Sequence, residues 1–183
     1  MWQVIVFVAA SLVISYISRR SLANLRSHGF YRFFAWELML ALLVLNVPHW
    51  FENPTAWYQV IAWFLLMACI LPLVLGMQAL RSRGRQDAHS RTEPELLGFE
   101  RTTNLVTDGV YHYIRHPLYS SLFLLDWGIF FKLPSWLGFL LAGAAALLLV
   151  ATARADEAEC IATFGPAYRQ YMHETHMFIP YIL

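Results

Sequence analysis

Charged residues are scarce in this chain of 183 residues: they make up 14% of the sequence, whereas hydrophobic residues make up 58%. An average soluble domain carries about 25% charged residues, so an ordinary soluble globule is excluded. Cysteine is also nearly missing, and the only two, Cys69 and Cys160, lie in apolar or helical contexts. They provide neither a disulfide framework nor a paired metal-ligand spacing. The composition therefore predicts an integral membrane protein.

Three sequence signals are absent, and each absence argues against one kind of segment or binding site. The first seventeen residues lack a basic n-region and a small-residue cleavage site, so we expect a retained span and not a signal peptide. No glycine-rich loop of the soluble nucleotide-binding type occurs, so a nucleotide-like cofactor would lie among helices and not on a Rossmann sheet. Five of the seven histidines form no i, i+4 helical ligand pair among themselves, and we expect no metal site; they are His28, His89, His112, His173 and His176.

Long apolar runs account for most of the chain. They cover residues 2–17, 33–47, 57–80, 118–131 and 136–152. A membrane-spanning helix needs about 20 apolar residues, so the fold class is predicted to be all-α integral membrane with about five transmembrane helices. Pro72 and Gly76 are the expected kink points of the third run. The last two runs predict a tight helical hairpin. Because run 118–131 is short, whether both helices of the hairpin cross the bilayer fully stays open.

The basic residues predict the orientation of these spans. Segments 18–33, 81–116 and 153–183 hold twelve of the thirteen lysines and arginines, and Lys132 alone lies on the opposite side. Lysine and arginine are enriched in cytoplasmic loops. We therefore expect a multi-pass protein with the N-terminus outside and the C-terminus in the cytosol. The same count places residues 111–119 and 156–171 on one cytosolic face.

The stretch 109–119 reads G-V-Y-H-Y-I-R-H-P-L-Y and directly precedes an apolar run. Polar groups at the edge of a membrane segment are costly to place and often functional. Gly109 permits a tight turn, and Pro117 suits the first turn of a new helix. We expect a membrane-surface loop that leads into a helix. The alternative is an ordinary interfacial belt of tyrosine, arginine and histidine.

This stretch, preceded by L-V-T-D at 105–108, resembles the signature of the isoprenylcysteine carboxyl methyltransferase and phospholipid methyltransferase superfamily. In that superfamily a G-P-Y-x-Y-x-R-H-P-x-Y segment is followed by a hydrophobic hairpin, an acidic pair, F-G-x-x-Y-x-x-Y and a terminal F-I-P. The chain supplies an acidic pair at 156–157, F-G-x-x-Y-x-x-Y from 164 to 171, and F-I-P at 178–180. It departs from the pattern at Val110, Ser121, Cys160 and Met177. Met177 stands where the superfamily often has a basic residue, so the identity of the substrate is less determined than that of the cofactor.

The resemblance implies S-adenosylmethionine as the cofactor, bound in a cytosolic C-terminal region. Tyrosine rings can hold its sulfonium or adenine by cation–π contact and stacking. Arg115 and His116 can donate to its carboxylate, and Glu157 can accept from its amino group or ribose. The expected cofactor-binding residues are Tyr111, Tyr113, Arg115, His116, Pro117, Tyr119, Glu157, Tyr168 and Tyr171. Catalytic assistance is expected from Arg115 or Glu157.

Simpler interpretations of these residues stay open. His116 can be a helix-start residue, and the acids at 156–159 can be the solvated end of a helix. Tyr168 and Tyr171 can pack on the membrane surface. Asp126 is an acid inside the hydrophobic hairpin, which makes it a functional candidate unless a hydroxyl or water pairs with it.

The implied function is an integral membrane methyltransferase that moves a methyl group by in-line displacement. Its expected partners are a lipophilic small-molecule or lipid-modified acceptor and membrane lipid, with no nucleic acid. We expect one membrane domain over 1–183, with three spans in 1–80, a cytosolic segment and loop in 81–117, and the hairpin and cofactor-binding region in 118–183. Acceptor chemistry (carboxylate, amine or thiol) and oligomeric state stay open.

Two alternative functions are kept. Membrane sterol reductases share an R-H-P-x-Y-like turn and use NADPH, whose 2′-phosphate would require the basic residues at 81–91. A non-enzymatic membrane scaffold would show no affinity for small molecules.

Overall fold

The computed structural model describes residues 2–84, 96–97 and 101–180, and the regular structure in these ranges is helical. The α-helices there are α1 Trp2–Ser18, α2 His28–Asn46, α3 Trp57–Ala68, α4 Ile70–Arg83, α5 Pro117–Phe130, α6 Trp136–Phe164 and α7 Pro166–Glu174. One isolated parallel bridge joins Ile114 to His176. The all-α prediction is confirmed for this part of the chain.

Within the described residues, three helical segments are long and apolar enough to cross a bilayer: His28–His49, Trp57–Arg83 and Trp136–Phe164. Helices α1 and α5 have 17 and 14 residues. At 1.5 Å per residue they rise about 26 and 21 Å, less than the ~30 Å hydrocarbon core. These lengths support an integral membrane protein, whereas the count of five spans stays a prediction.

Large apolar side chains cover the outer faces of α1, α3, α4 and α6. Among them, Phe64, Trp136 and Leu147 are 71%, 84% and 73% exposed. A soluble monomer rarely exposes apolar patches of this extent, because water disfavours them. Lipid tails do not, so this surface suits the hydrocarbon core of a membrane.

The predicted hairpin forms part of a larger bundle. Helices α5 and α6 contact each other, but α6 packs mainly along α2, and α5 packs mainly against α3 and α4. The α2–α6 interface contains fully buried small residues, including Ala35 on α2 and Ala142, Ala145 and Ala153 on α6. Small side chains let two helices approach closely, which is how helices associate in lipid.

The third apolar run is interrupted at Cys69, between α3 and α4. Pro72 explains this position, because proline has no N–H to donate to the carbonyl of Ala68 and its ring clashes with that group. Helix α4 continues through Gly76 without a break, and the kink expected there stays a prediction. The lack of a side chain at Gly76 lets α5 pack closely against α4, because a Cβ there would lie 3.1 Å from atoms of Pro117 and Leu118.

Helix α2 begins five residues before the predicted run 33–47. Ser27 caps its start, and the Ser27 Oγ accepts a hydrogen bond from the Phe30 N–H at 3.3 Å. Such a cap satisfies one of the free N–H groups of the first turn. The additional turns bring His28 and Arg32 into the interior of the bundle.

A buried lysine joins the α5–α6 turn to the α2–α3 connection. The Lys132 Nζ donates to Gln59 Oε1 at 2.9 Å and to the Trp50 carbonyl at 3.2 Å, and it lies 3.5 Å from the centre of the Trp63 ring. The Lys132 side chain is fully buried. Carbonyl oxygens and an aromatic face replace the water around its charge.

Contacts group the connecting segments at two ends of the bundle. The Lys132 contacts lie at one end, where Asn46 Nδ2 also donates to the Ile129 carbonyl at 2.8 Å. At the other, which we call the loop end, the start of α2 meets the end of α6, and residues 109–116 meet α7. Residues 111–119 and 156–171 therefore come together as predicted. The cytosolic location of the loop end stays a prediction.

Candidate active site

The loop before α5 is shaped by a glycine and a proline. Gly109 has a φ of +66°, a conformation that side chains disfavour, and it starts a short 3₁₀ turn, Gly109–His112. Pro117 is the first residue of α5 and is buried. The predicted turn and helix start are confirmed.

The segment after α7 closes over this loop. The Arg115 N–H donates to the His176 carbonyl at 2.8 Å, and the His116 N–H donates to the Met177 carbonyl at 3.1 Å. The Phe178 ring lies 6.0 Å from the His116 ring. The F-I-P segment therefore covers the start of α5 and shields His116 from one side.

Arg115 connects three elements. Its Nε donates to Glu157 Oε1 at 2.7 Å, and both side chains are 9% exposed. Its Nη1 donates to the carbonyls of Met172, at 3.2 Å, and Thr175. These acceptors occupy Nε and Nη1, so Nη2 is the nitrogen of this guanidinium that has no protein acceptor in the described chain.

The His116 ring lies between the two acids of α6. Its Nε2 is 3.4 Å from Glu157 Oε1, and its Nδ1 is 3.6 Å from Asp156 Oδ2. The ring stacks on Tyr119, with 5.3 Å between centres. The two sequence segments on which the cofactor hypothesis depends therefore meet in the structure.

Two tyrosines of α7 complete this region. Tyr168 and Tyr171 are buried, and their ring centres are 5.7 Å apart. The Tyr171 hydroxyl donates to the Tyr111 carbonyl at 2.6 Å. Burial raises the pKa of both phenols, because an ionised phenolate would lose its hydration there. Both side chains are therefore neutral at physiological pH.

A cavity of about 470 Å³ lies at the loop end, surrounded by α2, α4, α5, α6, α7 and the loop. The predicted site residues that line it are Tyr111, Arg115, His116, Tyr119, Tyr168 and Tyr171. Its volume and its mainly apolar wall with a few polar groups are typical of a small-molecule site.

Three of the predicted cofactor-binding residues are not part of the described cavity wall: Tyr113, Pro117 and Glu157. Tyr113 is 48% exposed, and Glu157 lies behind Arg115 and His116. Asp156 lines the cavity in place of Glu157. The acidic pair was recognised from the sequence, but which of its members faces the cavity depends on the rotation of α6.

The walls from α2 and α4 were not predicted. Arg32 and Trp36 lie one turn apart on α2, and the Arg32 guanidinium carbon is 5.1 Å from the centre of the Trp36 ring. On α4, Leu73, Met77 and Leu80 form an i, i+4, i+7 stripe. Both spacings are visible in the sequence, but no local pattern shows that these two helices face one cavity.

Three side chains near the cavity have the geometry of a possible metal ligand set. One ligand atom from each of His28, Asp156 and Glu159 lies within 4.8 Å of the others. However, His28 Nδ1 is 2.8 Å from Glu159 Oε2, and its Nε2 is 3.4 Å from the Arg32 Nη1. Both ring nitrogens have protein partners, so we interpret the group as a hydrogen-bond chain. The expected absence of a metal stays a prediction, and His89 lies outside the described residues.

A family model described as phospholipid methyltransferase matches residues 73–164, about half of the chain. The match runs from α4 to the end of α6 and includes His116 and both acids of the 156–157 pair. It does not include α2 or α7. No curated protein and no solved structure shows a significant match.

Proposed function

This chain belongs to the phospholipid methyltransferase family, and on that premise we propose that it transfers a methyl group from S-adenosylmethionine to a lipophilic acceptor. Membership implies a membrane methyltransferase with lipid substrates. The resemblance to isoprenylcysteine carboxyl methyltransferases extends the range of acceptors to lipid-modified carboxylates. The observation that carries the proposal is the cavity at the loop end, where the family's R-H-P-x-Y residues meet Asp156 and α7.

The residues around the cavity fit S-adenosylmethionine. When bound, this cofactor supplies an electrophilic methyl group on a sulfonium. Asp156 lines the wall with a partly exposed carboxylate, which can accept from the cofactor's ammonium group. Arg115 Nη2 can donate to its carboxylate, and the His116 ring, which lies between Asp156 and Glu157, can hold the Asp156 carboxylate in place. Neutral tyrosine rings at 111, 119, 168 and 171 offer faces for the sulfonium or adenine.

Methyl transfer requires alignment and the exclusion of water more than it requires proton transfer. The buried tyrosines exclude water from the cavity wall. Arg115 and Glu157 hold the loop, α6 and the end of α7 in one arrangement. We therefore attribute the assistance expected from Arg115 and Glu157 to positioning.

The alternative functions have no specific observation in their favour. NADPH would need the basic cluster at 81–91. Two of its members, Arg81 and Arg83, do not line the described cavity wall. The Arg83 Nη1 lies 3.6 Å from Asp108 Oδ2. Arg85 and Arg91 lie outside the described residues. A scaffold without small-molecule affinity does not account for the cavity.

Cofactor binding to the purified protein in detergent tests the proposal. S-adenosylmethionine should raise the unfolding temperature, and NADPH should not. His116→Ala removes a side chain of the wall, and the loss of one charge-assisted hydrogen bond should weaken cofactor binding by about 1.5–3 kcal/mol. His173→Ala is the matched control, because His173 is an exposed residue of α7. Stabilisation by NADPH alone, or unchanged binding by His116→Ala, would reject the proposal. Transfer of a labelled methyl group into a lipid extract tests the reaction itself.

A further inference from the structure

A groove on the outer surface of the α2–α6 junction contains two arginines. It has a volume of about 500 Å³, and Arg26 lines it from the segment before α2, whereas Arg154 lines it from α6. Both side chains are exposed, and within the described residues neither guanidinium has a carboxylate partner. No acid of the described chain lines the groove. The groove, which we call the arginine groove, therefore presents two positive charges without a negative one.

The arginine groove becomes apolar away from the loop end. Leu147, Ala151 and Arg154 line it at i, i+4 and i+7 positions, so they share one face of α6. Arg154 lies about 27 Å along α6 from Trp136, close to the ~30 Å thickness of the hydrocarbon core. Trp136 is 84% exposed, and tryptophan favours the membrane–water boundary. With Trp136 at one boundary, Arg154 lies near the other, and Leu147 lies within the hydrocarbon core.

This order of charged and apolar surface is complementary to an anionic phospholipid. The phosphate of such a lipid lies at the membrane boundary, and its acyl chains extend into the hydrocarbon core. Guanidinium groups bind phosphate oxygens through charge-assisted hydrogen bonds. The predicted cytosolic position of the loop end agrees with this ligand, because anionic lipids are concentrated in the cytoplasmic leaflet.

The arginine groove is separate from the proposed active site. Asp156 and Cys160 line the cavity from α6, whereas Ala151 and Arg154 line the groove. At 3.6 residues per turn, these two pairs lie on nearly opposite faces of α6. A lipid in the groove is therefore not in a position to receive the methyl group. It would contact the outer side of a junction whose inner side forms part of the cavity wall.

We propose that the arginine groove binds one anionic phospholipid, with its phosphate between Arg26 and Arg154 and an acyl chain along Ala151 and Leu147. The lipid is a bound ligand that the reaction does not consume. Because it contacts both α6 and the segment before α2, it stabilises the folded protein by mass action. The inference depends neither on methyl transfer nor on cofactor binding.

Thermal unfolding of the purified protein in a neutral detergent tests the proposal. Phosphatidylglycerol and phosphatidylcholine with the same acyl chains are titrated separately, and the affinity is obtained from the rise of the unfolding temperature with lipid mole fraction. One arginine near the membrane surface strengthens binding of an anionic lipid about fivefold, so wild type should bind phosphatidylglycerol about tenfold or more tightly than phosphatidylcholine. Inorganic phosphate should not raise the unfolding temperature. Equal affinity for the two lipids would overturn the proposal, and so would the same rise with inorganic phosphate.

Variants locate the bound lipid. Arg26→Gln and Arg154→Gln should each reduce the preference for phosphatidylglycerol about fivefold, and the double variant should abolish it. Arg169→Gln is the matched control, because Arg169 is an exposed arginine of α7 that does not line the groove. Ala151→Phe fills the groove and keeps both charges, so it should also weaken phosphatidylglycerol binding. A preference that persists in the double variant would overturn the inference. An equal loss in Arg169→Gln, or unchanged binding by Ala151→Phe, would mean diffuse attraction to a basic surface and would overturn it as well.

Discussion

Replacing Glu157 by alanine should destabilise the loop end in addition to any effect on ligand binding. The Glu157 carboxylate accepts from Arg115 Nε at 2.7 Å, and each side chain is 9% exposed. Removing one partner of a buried ion pair leaves an uncompensated charge, at a cost of about 3–5 kcal/mol. Arg115 keeps the carbonyls of Met172 and Thr175 as acceptors. We therefore expect a loss near the lower limit, about 3 kcal/mol.

A double-mutant cycle measures this interaction. The free energy of unfolding of wild type, Glu157→Ala, Arg115→Met and the double variant is obtained from equilibrium unfolding in mixed micelles, followed by circular dichroism. Because the two side chains touch, the coupling energy should reach about 1.5–3 kcal/mol. Glu174→Ala is the matched control: Glu174 is exposed at the end of α7, so its loss should cost no more than about 0.5 kcal/mol.

Two results would refute this reasoning. A loss below about 1 kcal/mol for Glu157→Ala would mean that the pair behaves like a solvent-exposed one. Additive effects of Glu157→Ala and Arg115→Met would mean that the two residues do not stabilise each other. In either case the positioning role of the pair in the active site would be wrong.

Three further predictions concern other parts of the molecule. Gly76→Ala should destabilise the protein by about 1–3 kcal/mol in the same unfolding assay, because the added Cβ presses on Pro117; an unchanged stability would contradict the close approach of α4 and α5. Burial raises the pKa of Tyr168 and Tyr171, so their contribution to stability is present below about pH 10, the ordinary phenol pKa, and is lost as the pH rises above it. Phenolate absorbance should therefore show both ionising only on unfolding, and the double phenylalanine variant should lack that phase. A reporter inserted at Asn53 should lie on the side of the membrane opposite to a C-terminal reporter, and equal accessibility of the two would reject the predicted topology.

Local features of the loop end were predictable because single residues determine them. Gly109 can adopt its positive φ because glycine has no Cβ, and Pro117 suits a helix start because its φ is fixed and it needs no N–H there. The stop at Gly165, whose φ is +59°, follows for the same reason. The meeting of segments 115–116 and 156–157 was predictable because a short turn joins the two intervening helices.

The features that could not be predicted from the sequence depend on contacts between residues far apart along the chain. Residues 28–32 were assigned to a connecting segment, because the contact between His28 and Glu159 joins residues 131 positions apart. The burial of Lys132 could not be predicted, because its partner Gln59 lies 73 residues away. The contribution of Arg32 to the cavity depends on the packing of α2 along α6, and hydrophobic periodicity does not determine which helices become neighbours.

Because Lys132 is buried, the reactivity of its amine can report the opening of the folded bundle. Lys132 is the only lysine in the sequence and is fully buried. An acylating reagent reacts with an uncharged amine that it can reach. The Lys132 side chain should therefore be modified only in molecules in which the end of the bundle that contains Lys132 has opened. The acylated fraction of the peptide that contains Lys132, followed over time by mass spectrometry, would therefore give the opening rate of the bundle. The measurement needs no engineered residue, and it can be made in native membranes.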